Sequence, residues 1–233
     1  RYRYVTGVQT CALPILETWE DGRRSPAAHQ AFVRFVLEKV LEWPERELRS
    51  GQGIPPGLDH PVAEHGETLR PDLVLVNPDG RAHAGKARVL VMVLPPGQGL
   101  ERSIEGHRWK ASPVTRAMEL CHAREVPLAL VTNGADWTLV HAKRGETTTY
   151  ANFDAPLFVE EAGLFNAFRA LLGVERLFGV ADADTLEALL AESAANQQEV
   201  TDQLGLQVRQ AVEVLVQAID RADGAARGAI LRD

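Results

Sequence analysis

Two apolar runs, Leu73-Val74-Leu75-Val76 and Ala87-Arg88-Val89-Leu90-Val91-Met92-Val93-Leu94, flank the turn-forming stretch Asn77-Pro78-Asp79-Gly80 and constrain this chain more than any other feature. Valine- and leucine-rich runs on either side of Asn, Pro, Asp and Gly read as β-strands joined through a turn. Pro95-Pro96-Gly97 ends the second run, because a proline pair has no N–H to give to a ladder. Arg70-Pro71-Asp72 precedes the first run and sets one carboxylate at the mouth of a strand.

The elements around this pair alternate in kind. Ser25-Pro26 fits an N-cap followed by proline at the first helical position, and Phe32, Phe35, Val36 and Val40 recur at helical spacing through about Leu41. Trp43-Pro44 stops that helix, and Gly51 to Gly66 reads as a loop without periodicity. Ser112-Pro113 opens a second helix to about Arg124, with Ala117, Leu120 and Cys121 on its inner side. Val126 to Val131 reads as a buried strand, Thr132-Asn133-Gly134-Ala135-Asp136 as a turn, and Trp137 to His141 as its partner, with a further strand around Thr147 to Phe153. The expected fold is therefore α/β, a mixed sheet with flanking helices, over residues 16–157. Residues 158–233 form an expected all-helical connector. Leu164 to Leu172 is a short helix, and Val200, Leu204, Val208, Ala211, Leu215 and Ala218 step by three or four along one long amphipathic helix.

Composition narrows the function classes. At 233 residues the chain can bury a core without staples. No apolar run approaches the roughly 20 residues of a membrane span, so no membrane partner is expected. Residues 5–15 resemble the conceptual translation of a sequencing-library adapter, which sets 1–15 aside from the fold and implies that the native start is lost. Without Arg1 and Arg3 the formal charge moves from −7 to −9. Cys121 is then the only cysteine, which excludes an internal disulfide framework and a multi-cysteine zinc site and suits the cytoplasm. A pI near 5.6 argues against tight DNA binding by this piece alone. The best group for local contacts to a DNA backbone is Arg102, His107, Arg108, Lys110 and Arg116, interspersed with Glu101 and Glu105.

The strand pair resembles the core of metal-dependent nucleases whose motif is Pro-Asp, a spacer, then Asp/Glu-x-Lys. In such cores, strand-end carboxylates hold Mg2+ and the lysine helps to activate water. Asp72 stands where the first carboxylate belongs. Related cores carry Glu-Ala-Lys-Arg-Pro-Gly on the second strand. Laying Pro96-Gly97 on that Pro-Gly puts Met92 at the glutamate and Leu94 at the lysine, and neither can bind Mg2+. Gln98 is polar but neutral, and Glu38 or Glu42 on the first helix would be a remote acidic ligand. The resemblance thus implies a nuclease frame without its chemistry. An active Mg2+-dependent endonuclease with an atypical site at Asp72 is the first alternative. A non-enzymatic interaction module built on the long helix is the second.

Four stretches occur in an order seen in one protein group: Arg70-Pro71-Asp72, Pro95 to Gln98, Arg108-Trp109-Lys110-Ala111-Ser112-Pro113, and Leu130-Val131-Thr132-Asn133-Gly134-Ala135-Asp136-Trp137. Over Ser25 to Asp233 the chain resembles the N-terminal region of large bacterial type IIG restriction–modification polypeptides with an adenine-specific DNA methylase. The Thr-Asn-Gly-x-x-Trp stretch also resembles the amino-terminal nuclease domain of type I restriction subunits. The helical run from Leu186 to Ala222 resembles the segment leading into the methylase. The resemblance implies DNA and a downstream methylase domain in cis as partners, with S-adenosylmethionine as that domain's cofactor. The Asn-Pro-Pro-Tyr/Phe motif that holds a flipped adenine is absent from these residues. Gly228 to Asp233 resembles neither a cap nor a tail, so the chain is expected to be truncated before that domain.

Other signals fail on inspection. Gly80 to Lys86 has the spacing of a phosphate loop, but Ala87 replaces its Ser/Thr and a strand follows where a helix is required. His60, Glu64 and His65 lack ligand spacing, and Cys121-His122 lies within a helix, where neighbours diverge. Trp137 reads as a core residue beside a turn.

Overall fold

The computed structural model describes residues 25–81 and 83–225, so the adapter-like residues 5–15 and the terminal Gly228 to Asp233 lie outside the described residues. Helix α1 (Pro26–Phe35) begins as its sequence dictates: the Ser25 hydroxyl accepts from the Ala28 N–H, and Pro26 occupies the first turn. It widens into a π-helical turn at Val36–Val40. Strands β1 (Leu48–Ser50), β2 (His60–Val62), β3 (Glu67–Leu69), β4 (Leu73–Val76) and β5 (Ala87–Val93) follow. Then come α2 (Pro113–Arg124), β6 (Leu128–Thr132), β7 (Asp136–His141), β8 (Thr149–Asp154), α3 (Ala162–Leu172) and α4 (Leu186–Ala225).

Six strands form one mixed sheet in the order β1-β4-β5-β6-β7-β8. Each neighbouring pair is antiparallel except β5 and β6, which run parallel with Val89 opposite Leu128 and Val93 opposite Thr132. A parallel pair needs a crossover, and α2 supplies it. Ser112 caps α2 by accepting from the Thr115 N–H, and Glu125, in the left-handed region at φ 55°, ends it.

Alternation along the strands divides the core into two layers. Val74, Val76, Leu90, Met92, Ala129, Val131 and Val140 pack with Val114, Ala117, Leu120 and Cys121 of α2. The intervening residues Leu75, Val89, Val91, Leu128, Leu130 and Leu139 are buried as well, so the central strands are covered on both sides. On that second side Phe168 of α3 meets Trp137 and Phe153 edge-on, with ring centroids 5.7 and 5.3 Å apart. Burial in the first layer, beside Ala117 and Leu120, pushes the Cys121 thiol up to about 12.

The ends of α1 and α3 cap each other. Trp43 Nε1 donates to the Leu172 carbonyl at 2.7 Å, the Val174 N–H donates to the Leu41 carbonyl at 2.8 Å, and Arg169 Nε donates to Val40 O at 3.1 Å. These bonds satisfy carbonyls that helix ends otherwise leave open.

The loop expected from Gly51 to Gly66 holds two elements: a 3-10 turn at Gly51–Gly53, and β2, which pairs with β3 as a separate two-stranded ribbon. Each strand is three residues long and β2 contains Pro61, too short and too broken for an alternation signal. The first compact unit runs through Val180, so the expected boundary at 157/158 falls inside it and α3 belongs with the sheet. The second unit begins at Ala181 and holds α4, a helix of 40 residues. Leu204, Leu206, Val208, Val212, Val214, Leu215, Val216 and Ile219 of α4 are exposed. Among the described residues no helix is long and apolar enough to cross a membrane.

Phe168 is fully buried between the ring pairs of β7 and β8. Phe168→Ala is expected to cost about 3–5 kcal/mol, read as a lower urea midpoint with an unchanged m-value.

Candidate functional site

Asp72 sits at a bend just before β4. Its N–H donates to Val91 O at 2.9 Å, and its carboxylate Oδ2 accepts the Val93 N–H at 2.7 Å. The side chain is exposed at the edge of a cleft, yet the crowding protein pushes its carboxyl above the usual range, against the opposing Val93 hydrogen bond. One carboxylate oxygen is thus committed to the end of β5.

Met92 and Leu94, which the resemblance lays on a nuclease glutamate and lysine, are each 9% exposed and belong to the apolar cluster that packs with α2. The Leu94 backbone is fully engaged. Its N–H donates to Thr132 O at 2.7 Å, and its carbonyl accepts from His29 Nε2 at 2.8 Å. A carbonyl can only accept, so His29 carries its proton on Nε2 in this bond. Burial of His29 holds its pKa below the ordinary histidine value, only partly offset by the Leu94 carbonyl.

The remaining polar candidates point elsewhere. Gln98 Nε2 donates to Gly99 O at 3.0 Å and Arg102 O at 3.4 Å, turning the amide onto its own loop. Glu38 is held by Arg34 Nε at 2.6 Å, and Glu42 by Arg169 Nη2 at 3.0 Å. An open cleft of about 820 Å³ lies between His29, Gln30 and Arg34 of α1 and the strand ends at Asp72, Val93, Leu94 and Pro95. Among the described residues no group of three or more His, Cys, Asp or Glu side chains is placed to hold a metal ion. Mg2+ prefers octahedral oxygen coordination. A lone carboxylate with one oxygen already committed does not fit it.

The sequence-predicted basic group separates into two parts. Arg102, His107, Arg108 and Lys110 are exposed. Arg116 is 3% exposed and is not a surface contact, which corrects its inclusion in that group. Its Nη1 meets Glu67 Oε2 at 2.5 Å, its Nη2 donates to Trp109 O at 2.7 Å, and its guanidinium lies 5.0 Å from the Trp109 ring centroid. Glu67 also accepts from the Trp109 N–H at 3.1 Å and from His107 Nδ1 at 3.2 Å. The Arg116 guanidinium first, then the Trp109 N–H and His107, hold the Glu67 carboxyl down from 4.5 to about 2. Helical spacing puts position 116 one turn before Leu120, on the buried side of α2. That signal was available in the sequence; the partner Glu67, 49 residues away, was not.

The Thr132-Asn133-Gly134-Ala135-Asp136-Trp137 stretch is architectural. Asn133 Oδ1 accepts the N–H groups of Ala135 and Asp136 at 3.0 and 2.7 Å, and Thr132 Oγ1 accepts that of Gly134 at 2.9 Å. Gly134 takes φ 91°, a region that favours glycine. Asn133 Nδ2 donates to Gln98 O at 2.9 Å, which ties the Pro95–Gln98 loop to the β6–β7 turn. Trp137 is fully buried with Nε1 on Gly134 O, as its reading as a core residue requires. His29 was missed as a site residue. Its signal is its place on the inner stripe of α1 with Phe32, Val33 and Val36.

Residues 11–218 match the family described as MmeI, N-terminal domain. No curated protein and no solved structure matches the chain.

Two outcomes follow from these contacts. Glu67 is depressed in the folded state, so its contribution is present above pH 4.5 and lost as pH falls towards about 2. Thermal melts across that window are expected to fall more steeply for the wild type than for Glu67→Gln, which starts lower at neutral pH. Asp72→Asn keeps an oxygen for the Val93 N–H, whereas Asp72→Ala removes it. Chemical denaturation is expected to show the alanine variant about 1 kcal/mol less stable and the asparagine variant close to wild type.

Proposed function

Because the chain belongs to the MmeI N-terminal domain family of type IIG restriction–modification enzymes, we propose that it is a nuclease-like module that does not hydrolyse DNA. In this reading it serves as a scaffold, or holds DNA near an adenine methylase in cis. The carrying observation is the state of the second strand: Met92 and Leu94 lie in the apolar core with α2, and Asp72 closes the end of β5 through the Val93 N–H. Hydrolysis in this architecture needs carboxylates converging on a metal to generate the nucleophile and offset phosphoryl charge. Here the side chains supply one carboxylate and a hydrophobic wall. S-adenosylmethionine belongs, in this reading, to the methylase.

The scaffold role draws support from α4. A helix with apolar side chains exposed over Leu204 to Ile219 calls for another surface to cover them. The same observation keeps the interaction-module alternative in play, since both readings require a covered α4.

The test is cleavage of supercoiled DNA with Mg2+ or Mn2+ by the 233-residue chain. No nicking above buffer is expected; metal-dependent nicking that disappears in Asp72→Ala would overturn the reading. Restoring the motif letters is expected to fail for a structural reason. Met92→Glu places a carboxylate among Leu90, Val131 and α2, and is expected to destabilise the fold by about 3 kcal/mol without creating activity.

A further inference from the structure

The β2–β3 ribbon stands apart from the six-stranded sheet, and α2 fixes it at both ends. At one end His60 meets Glu119 at 3.3 Å and Arg124 Nη2 at 3.2 Å. At the other, the buried Arg116 holds Glu67. The ribbon's turn, Ala63 to Gly66, is therefore a rigid projection rather than a loose loop. Its backbone closes through His65 N–H to Val62 O at 3.1 Å, with Gly66 in the left-handed region at φ 65°.

The segment His107 to Lys110 packs against this turn. His65 stacks on Trp109 with centroids 5.3 Å apart and planes 8° apart. A Cβ at Gly66 would sit 3.8 Å from Arg108 Nη1, which places that guanidinium over the turn. Arg108 and Lys110 flank Trp109 in sequence and are both exposed. Neither has an acidic partner among the described residues, whereas Lys143 and Arg169 elsewhere on the surface are paired. Glu67, which contacts the Trp109 N–H, is already engaged by Arg116 and by His107.

We propose that the ribbon turn and the His107–Lys110 segment form a contact surface for the phosphodiester backbone of duplex DNA, with Arg108 and Lys110 as the phosphate-binding cations. This rests on reading the chain as part of a DNA restriction–modification enzyme, and it names a surface separate from the Asp72 cleft. Trp109 argues for duplex rather than single-stranded DNA. Its ring is already engaged by His65 and by the Arg116 guanidinium, so it braces the two cations and offers no platform for an unpaired base. Phosphate contacts position a protein on a duplex without reading its sequence, which suits a module whose task is to hold DNA. Glu64 on the turn, Glu105 two residues before His107, and the net charge of −7 confine the contact to a few phosphates and make it weak and salt-dependent.

The experiment is binding of the whole chain to a fluorescein-labelled duplex at several salt concentrations starting near roughly 50 mM. Wild type is compared with Arg108→Ala/Lys110→Ala and with Lys143→Ala/Arg144→Ala, a control pair distant in sequence. The first double variant is expected to bind about tenfold more weakly at low salt, and its log–log salt slope to be shallower by about 2; the control pair is expected to match wild type. Because these side chains are exposed, circular dichroism melts are expected to superimpose, which separates lost binding from lost fold. Equal affinity and slope in the first double variant, no binding by wild type, or tighter binding to a single strand of the same length would each overturn the proposal. Cleavage of the duplex by wild type would instead sink the non-hydrolytic reading and leave this surface standing.

Discussion

The parallel pairing of β5 with β6 is the constraint on which the rest of this molecule depends. Every other neighbouring pair in the sheet is antiparallel and can be closed by a local connection. This one cannot. The chain must leave β5 at the Pro95-Pro96 stop, cross one face of the sheet and return, and α2 makes that crossing. The crossing helix then determines three further things. It buries Met92 and Leu94 beneath its inner side, it carries Arg116 inward to meet Glu67, and it gives the β2–β3 ribbon something to stand on. The join is extended past the last paired residues by the Leu94 N–H to Thr132 O, and then by Asn133 to Gln98.

Around this frame the polar groups near the end of β5 are taken up by the backbone. The carboxylate of Asp72, the Nε2 of His29 and the carbonyl of Thr132 all hydrogen-bond to main-chain groups of Val93 and Leu94. They hold the end of β5 where a catalytic strand would present its side chains. The side chains that do emerge there are apolar and packed. In the non-hydrolytic reading proposed above, the polar groups at this strand end serve the backbone rather than a metal.

Much of the fold was legible because its signals are local. Ser25-Pro26 and Ser112-Pro113 each mark a helix start, and both serines do cap. Asn77-Pro78-Asp79-Gly80 and Thr132 to Trp137 mark connections closed by their own hydrogen bonds, such as Asn77 N–H to Lys86 O and Asp136 N–H to Asn133 Oδ1. What escaped was non-local or too short. The ribbon's three-residue strands carry no alternation, and β2 holds a proline. Arg116 was assigned to the surface because a cation near other cations reads as solvated; its burial depends on Glu67, a residue 49 positions earlier. Glu42 reads as a spare carboxylate for the same reason, since only the folded chain brings Arg169 against it; Glu38 differs, because Arg34 stands four residues before it, a spacing at which helical side chains meet.

The mutual capping of α1 and α3 has a consequence for how the protein comes into being. Trp43 and its acceptor at Leu172 are 129 residues apart, as are Arg169 and the Val40 carbonyl it covers. On a ribosome adding about 5–20 residues each second, the first helix waits on the order of ten seconds for the groups that finish its end. The end of α1 is thus completed long after the helix itself has been made, and until then its carbonyls lack these donors.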